Sequence, residues 1–265
     1  MSDRSGGDAA SAAPGVIARA AARLVQIRLA ASFLTILPLA PVAPADPGEV
    51  AGSFGWFPLV GFAIGGALCL ADWSFGHFCA PAPRAVLTIA LLATITGALH
   101  LDGVADTADA LGAGRDRARA REILRDSRIG SFGAIALVLV IGLKIAALAG
   151  SVGAPRYAAL YMAPGLGRWA MVAIAQGLEY LRAEGAGATL LARDLRRNLR
   201  VATATAIVAL IPLAALHALR AGVVAALVTV ALRALYRRWL GGVTGDLIGA
   251  AGELVETAVL LAIAG

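Results

Sequence analysis

Lysine is nearly missing from this chain. Of its 23 basic residues only Lys144 is a lysine; the others are arginines. Charge of either sign is scarce: 15% of the 265 residues are charged and 59% are hydrophobic, with a mean hydropathy of +0.79. Soluble domains carry about a quarter charged residues, so an ordinary water-soluble enzyme is excluded and a membrane protein is the natural class. Two cysteines, Cys69 and Cys79, exclude a thiolate metal cage or a C-x-x-C redox pair, and both read as small packing residues. The histidines are three; His77 and His217 sit near the ends of apolar segments and read as incidental. The phosphate-cradling loop G-x-x-x-x-G-K-[ST] and the dinucleotide fingerprint are both absent. Any nucleotide bound here is therefore not held by one of the usual soluble nucleotide folds.

What the chain does have is a succession of apolar windows long enough to cross a bilayer, which takes about 20 residues. They fall at 53–74, 85–109, 131–151, 156–178, 201–219, 221–237 and 244–264. The fifth and sixth are separated only by Arg220-Ala221-Gly222, which predicts a tight helical hairpin, with Pro212 as a kink in the fifth. No secretory signal precedes them; residues 1–15 form a Gly-, Ala-, Ser- and Asp-rich extension expected to be disordered. Residues 16–37 are apolar but interrupted by Arg19, Arg23 and Arg28, which suits a helix lying at the membrane interface. The expected fold is all-α: a single polytopic membrane domain over 16–265, of about seven transmembrane helices plus that interfacial helix. Arginine content alternates between successive loops, dense at 110–130 and 182–200 and sparse around Arg84 and Arg156. By the positive-inside rule this orients the N-terminus to the cytoplasm and the C-terminus outside.

Against this apolar background, "HLDGVADTADAL" at 100–111 stands out. At about 100° per residue, Asp106 lies roughly 40° and Asp109 roughly 20° from Asp102 around a helix. All three carboxylates share one face, and His100 points nearly the opposite way. Like charges at this spacing repel, and in a low-dielectric setting they need a cation or a salt bridge. Arg115, Arg117 and Arg121 across the following loop would supply a purely structural pairing. The alternative is a hard divalent cation: Mg²⁺ takes one or two carboxylates together with substrate phosphates, and arginines pair with phosphate bidentately. That combination is the usual equipment of phosphoryl transfer, with one carboxylate spared as a general base. The inferred orientation brings Asp246, in "GGVTGD" at 241–246, to the same surface. Glu253 and Glu256 lie deeper in the last helix, and Arg168 requires an anionic partner, either a helix carboxylate or a substrate phosphate. Gly61 and Gly65 read as helix packing. The rival reading from another class is an ion-coupled transporter using Asp102, Asp246, Glu253 and Glu256 as a path. Nothing points to a nucleic-acid partner, and the oligomeric state is left open.

Six stretches in order, "FLTILPLAP" at 33–41, "WFPLVGFAIGG" at 56–66, "TGALHLDGVADTADAL" at 96–111, "ILRDSRIGSFGAIAL" at 123–137, "GRWAM" at 167–171 and "GGVTGDLIGAAGELVE" at 241–256, resemble the cobalamin synthases, the adenosylcobinamide-GDP ribazoletransferases. The extension before about Arg23 lies outside the pattern, and Ala98 stands where the pattern has a glycine. The resemblance implies a bacterial inner-membrane enzyme with its site facing the cytoplasm. It would join adenosylcobinamide-GDP to α-ribazole or its 5′-phosphate, release GMP and use Mg²⁺. Carried over residue by residue, it makes Asp102 and Asp106 metal ligands, Asp109 a ligand or the base, and Asp246 a completing ligand. Asp126, Ser127, Arg128 and Ser131 become a phosphate- or nucleotide-binding segment, with Gly130 and Gly133 allowing close approach of substrate.

Overall fold

Four α-helices precede the acidic stretch. The structure, a computed structural model, describes residues 16–39, 45–114, 116–126, 128–182, 186–191 and 194–264; the extension at 1–15, Arg115 and Ser127 lie outside the described residues. Helix α1 (Val16–Leu34) leads to α2 (Pro47–Ser53), where Asp46 caps the helix and Glu49 closes a capping box. A 3₁₀ turn at Phe54–Trp56 joins α2 to α3 (Phe57–Phe75), so the chain is helical from 47 to 75. Helix α4 (Pro81–Thr96) ends at Gly97, and α5 (Leu99–Leu111) starts at Ala98, both residues with positive φ (60° and 55°).

The window at 85–109 is thus not one straight span: α4 and α5 meet at 92°. Two consecutive left-handed residues turn the chain, and the Ala98 amide closes the end of α4 on the Ala93 carbonyl at 2.9 Å. The short α6 (Arg117–Ile123) follows, then α7 (Ser131–Gly150), α8 (Gly153–Ile174), the six-residue α9 (Ala186–Leu191), α10 (Leu195–Leu210), α11 (Ala215–Trp239) and α12 (Gly245–Ala264). The turn of the α10–α11 hairpin also differs from expectation. It lies at 211–214, where Pro212 cannot continue a helix, while Arg220-Ala221-Gly222 is inside α11.

Four segments are long and apolar enough to cross a membrane: Pro47–Phe75, Ser131–Gly150, Ala215–Trp239 and Gly245–Ala264; the bent α4–α5 pair makes a fifth if taken as one. Helix α8 is the centre of the bundle. Its faces are buried against α3, α10, α11 and α12. Close packing with α3 depends on Gly61 and Gly65: a Cβ on Gly61 would stand 2.8 Å from the Gly165 Cα, and one on Gly65 would stand 2.9 Å from the Tyr161 Cα. The expectation of helix packing at these two glycines holds. Outward faces of α7 and α11 expose Val138, Leu139, Leu227 and Val230, as lipid-facing surfaces do.

Two ionic clusters are buried inside the helices. Asp72 of α3 receives Arg156 (2.6 Å), Arg84 and the Thr88 hydroxyl (2.9 Å). Lys144 of α7 lies 2.5 Å from Glu253 and 2.6 Å from Glu256 of α12, and Glu256 also takes Arg168 of α8. Each carboxylate in these clusters has at least one cation, which is how charge becomes tolerable in such a setting.

Candidate active site

The acidic helix α5 is clamped between α7 and α12. Gly103 lets α12 sit directly on it: a Cβ there would stand 2.6 Å from the Asp246 carbonyl oxygen. Asp246 therefore does reach the aspartate row. Asp106, half-buried, feels the negative charges of Asp102, Asp246 and Asp109, with Arg182 as the opposing cation. Arg182 is delivered by a two-residue parallel strand pair, β1 (Glu179–Tyr180) with β2 (Gly242–Val243), extended by the Leu181 amide on the Val243 carbonyl at 2.9 Å. This short pairing is a local departure from an all-helical chain. It holds Arg182 2.6 Å from Asp246, and the same guanidinium donates to the Leu124 carbonyl.

The three aspartates of α5 divide. Asp109 is engaged through both oxygens by the backbone entering α7: the Gly130 amide at 2.7 Å and the Gly133 amide at 2.9 Å. A carboxylate at the N-terminal end of a helix satisfies orphan amides and faces the positive end of the dipole. The glycines expected to admit substrate instead admit this carboxylate; a Cβ on either Gly130 or Gly133 would strike the Asp109 side chain. Asp102 is exposed and Asp106 half-buried, and neither side chain has a hydrogen bond or ion pair among the described residues.

Of the arginines weighed as structural partners, Arg115 lies outside the described residues and the other two go elsewhere. Arg117 donates to the Arg238 carbonyl at 2.8 Å and Arg121 to the Leu240 carbonyl at 3.1 Å, both at the end of α11. Asp126 and Arg128 pair with each other at 2.6 Å on the surface. The Arg128 guanidinium holds the Asp126 carboxyl down at about 2. Ser131 is the exposed first residue of α7; Ser127 lies outside the described residues. Arg168 has the helix carboxylate as its partner, Glu256, with its Nε and second Nη buried without hydrogen-bond partners among the described residues.

Three participants were not identified from sequence. Lys144 balances Glu253 and Glu256, and its being the one lysine, set inside an apolar run, was the available signal. Asp72 inside α3 carried a similar signal. Arg182 could not be singled out, because only the strand pairing brings it to Asp246. With Glu253 and Glu256 both neutralised by buried cations, the ion path that a transporter would need loses two of its four members; that reading is not supported.

Among the described residues, no three His, Cys, Asp or Glu side chains gather closely enough to hold a metal ion by themselves. Mg²⁺ does not require such a cage: one or two carboxylates suffice when phosphates and water fill the remaining positions. Two unpaired carboxylates one helical turn apart, Asp102 and Asp106, fit that donor set.

A sequence model of the family described as cobalamin-5-phosphate synthase matches residues 26–264. An adenosylcobinamide-GDP ribazoletransferase from Syntrophobacter fumaroxidans is 41% identical over 89% of this chain and 96% of its own length. Proteins of the same name from Desulforamulus reducens (40% identical, 89% and 95% covered) and Stutzerimonas stutzeri (38%, 91% and 98%) are similar along the same extent. No solved structure matches. The aspartate row, the α7 entry it caps and the α12 start that covers it all lie within the matched region, and the chain belongs to the cobalamin-5-phosphate synthase family.

Proposed function

We propose that the protein is an adenosylcobinamide-GDP ribazoletransferase of the cytoplasmic membrane. It joins the cobinamide phosphate of adenosylcobinamide-GDP to α-ribazole or its 5′-phosphate and releases GMP. Full-length similarity to transferases of that name supports the reaction. The observation that carries the site is the contrast within one helix: Asp109 is spent on the entry to α7, while Asp102 and Asp106 are left unpaired beside Asp246 and Arg182.

In this reading Asp102 and Asp106 would hold Mg²⁺ together with the pyrophosphate. The ion would supply charge neutralisation on the phosphate oxygens. Arg182 is the cation nearest the row, and in exchange for Asp246 it can pair with a phosphate oxygen, leaving Asp246 to complete the metal shell. The surface segment Asp126, Arg128, Gly130 and Ser131 borders the same end of α5 and offers Arg128 to the nucleotide phosphate. A ribose hydroxyl of α-ribazole attacks the phosphorus bonded to the cobinamide arm. The new O–P bond forms as the anhydride bond to GMP breaks, and the hydroxyl proton passes to a carboxylate of the row. Asp109 acts by positioning, fixing the angle between α5 and α7. Arg168, paired inside the bundle, is a structural residue in this scheme rather than a phosphate ligand.

The arginine-rich segments at 117–128 and 182–200 lie on the cytoplasmic side, so the row faces the cytoplasm. Counting α8, buried at the bundle centre, and α10, packed on α3 and α8, with the apolar spans gives the proposed seven segments at membrane depth. The test of function is direct. Detergent-solubilised protein is mixed with adenosylcobinamide-GDP, α-ribazole and Mg²⁺, and corrinoid and GMP are followed by chromatography. A complete cobamide appearing with equal GMP, and only with the metal, is the expected result. Folded protein that yields neither product would sink the assignment.

A further inference from the structure

Beside the aspartate row lies a cleft of about 190 Å³ between the end of α1, the α2–α3 junction, α5, α9 and the start of α12. Its walls are mostly apolar, with Phe33, Phe54, Phe57 and Leu190 among them. Phe54 and Phe57 pack edge to face, their centroids 4.9 Å apart. Two ionisable side chains line it: Asp246, shared with the aspartate row, and His100. His100 is 6% exposed and makes no hydrogen bond among the described residues. A buried imidazole without a partner is costly unless something else completes it. Here it borders the cleft.

We propose that this cleft seats the flat aromatic base of the acceptor α-ribazole, with His100 donating to the base's one unsubstituted ring nitrogen and the ribose directed toward Asp102 and Asp106. The inference rests on the transferase reading above and adds the acceptor's binding site to it. Size argues for one ring system: whole drug-sized ligands occupy roughly 300–1,000 Å³, so neither a corrin nor an entire nucleotide fits. Polarity then chooses between the two aromatic bases in the reaction. Guanine carries a carbonyl, an amine, a ring N–H and further ring nitrogens, and each left unpaired in an apolar cleft carries its full desolvation penalty. Dimethylbenzimidazole offers one acceptor and two methyl groups, and a neutral imidazole offers one N–H. The edge-to-face Phe54–Phe57 pair favours a flat ring. Asp102 and Asp106 do not line the cleft; Asp246 does, and it stands over Gly103 of α5, so a base seated beside His100 would direct its sugar past Asp246 toward the row.

The test uses the full-length, detergent-solubilised protein and equilibrium dialysis with α-ribazole, then with GMP, followed by steady-state kinetics. His100→Phe keeps a ring but removes the hydrogen bond, and should weaken α-ribazole binding roughly three- to tenfold. Leu190→Trp, on the short rim helix α9, fills the cleft without altering α5 and should weaken it at least about tenfold. In both, KM for α-ribazole rises in parallel, while GMP binding and KM for adenosylcobinamide-GDP stay as in the unaltered protein. Unchanged α-ribazole affinity in Leu190→Trp, or a loss of GMP affinity in its place, would overturn the cleft assignment even if turnover is normal. If the unaltered protein binds α-ribazole, Leu190→Trp abolishes that binding, and no turnover is seen, the cleft stands and the transferase reading falls.

Discussion

Asp102, Asp106 and Asp109 lie within eight residues of sequence, yet substitution should separate them. Asp102→Asn or Asp106→Asn removes charge from a group with no hydrogen bond or ion pair among the described residues, so the thermal midpoint should stay within a degree or two of the unaltered protein. GMP release should fall by at least about a hundredfold. Asp109→Ala has the opposite profile. It strips two backbone amides of their acceptor and should cost about 1–2 kcal/mol, read as a lower midpoint in thermal unfolding followed by tryptophan fluorescence. Full turnover in Asp106→Asn would remove the carboxylate pair from the chemistry. A third outcome concerns pH. Asp126 is held at about 2 by Arg128, below its ordinary value, so whatever the ion pair contributes is fully present above roughly pH 4 and lost only on acidification toward the folded value. An acid limb in the rate profile near neutral pH would therefore come from another group, and Asp126→Asn should leave it unmoved.

At the scale of elements, the α4–α5 junction and the buried clusters are the informative parts. Ala98 holds a left-handed conformation that costs an L-residue about 1–2 kcal/mol. Ala98→Gly should stabilise the protein by about 0.5–1 kcal/mol after the added freedom of the unfolded chain is subtracted. A drop in thermal midpoint would mean that the alanine methyl contributes packing that outweighs the strain. Lys144→Met leaves Glu253 without its cation and Glu256 with only Arg168, and should cost about 3–5 kcal/mol. Adding Glu253→Gln should restore part of that loss in a double-mutant cycle. The helices themselves were largely legible in sequence, because a membrane helix is a long apolar run and needs no tertiary information. The sharp bend was not, since Gly97-Ala98 sits within an unbroken apolar window. Asp109's role was hidden for a related reason. Helical spacing places it correctly on the face of Asp102 and Asp106, but what a carboxylate touches depends on the neighbouring helix, and α7 begins 22 residues later in the chain. The same limit explains Arg182, whose partner is reached only through one strand pair of two residue pairs between segments some sixty residues apart.

For the molecule as a whole, the testable statement is its sidedness. Cys79 lies in the arginine-poor loop between α3 and α4, and Arg119 in the arginine-rich α6. With Cys69 replaced by Ala, an impermeant thiol reagent added to intact cells should label Cys79. A Cys79→Ala, Arg119→Cys variant should be labelled only after the cells are opened. The reverse pattern would turn the proposed site outward, away from a cytoplasmic nucleotide substrate. The bend between α4 and α5 also bears on how the acidic row can be used. In the proposed arrangement, in which α4 crosses the membrane, α5 at 92° to it would lie along the plane of the bilayer. Its carboxylates then sit at one depth, side by side. A ladder of acids at successive depths passes an ion through a membrane; a ledge of acids at one depth receives a charged group where it arrives and keeps it there while a bond is exchanged.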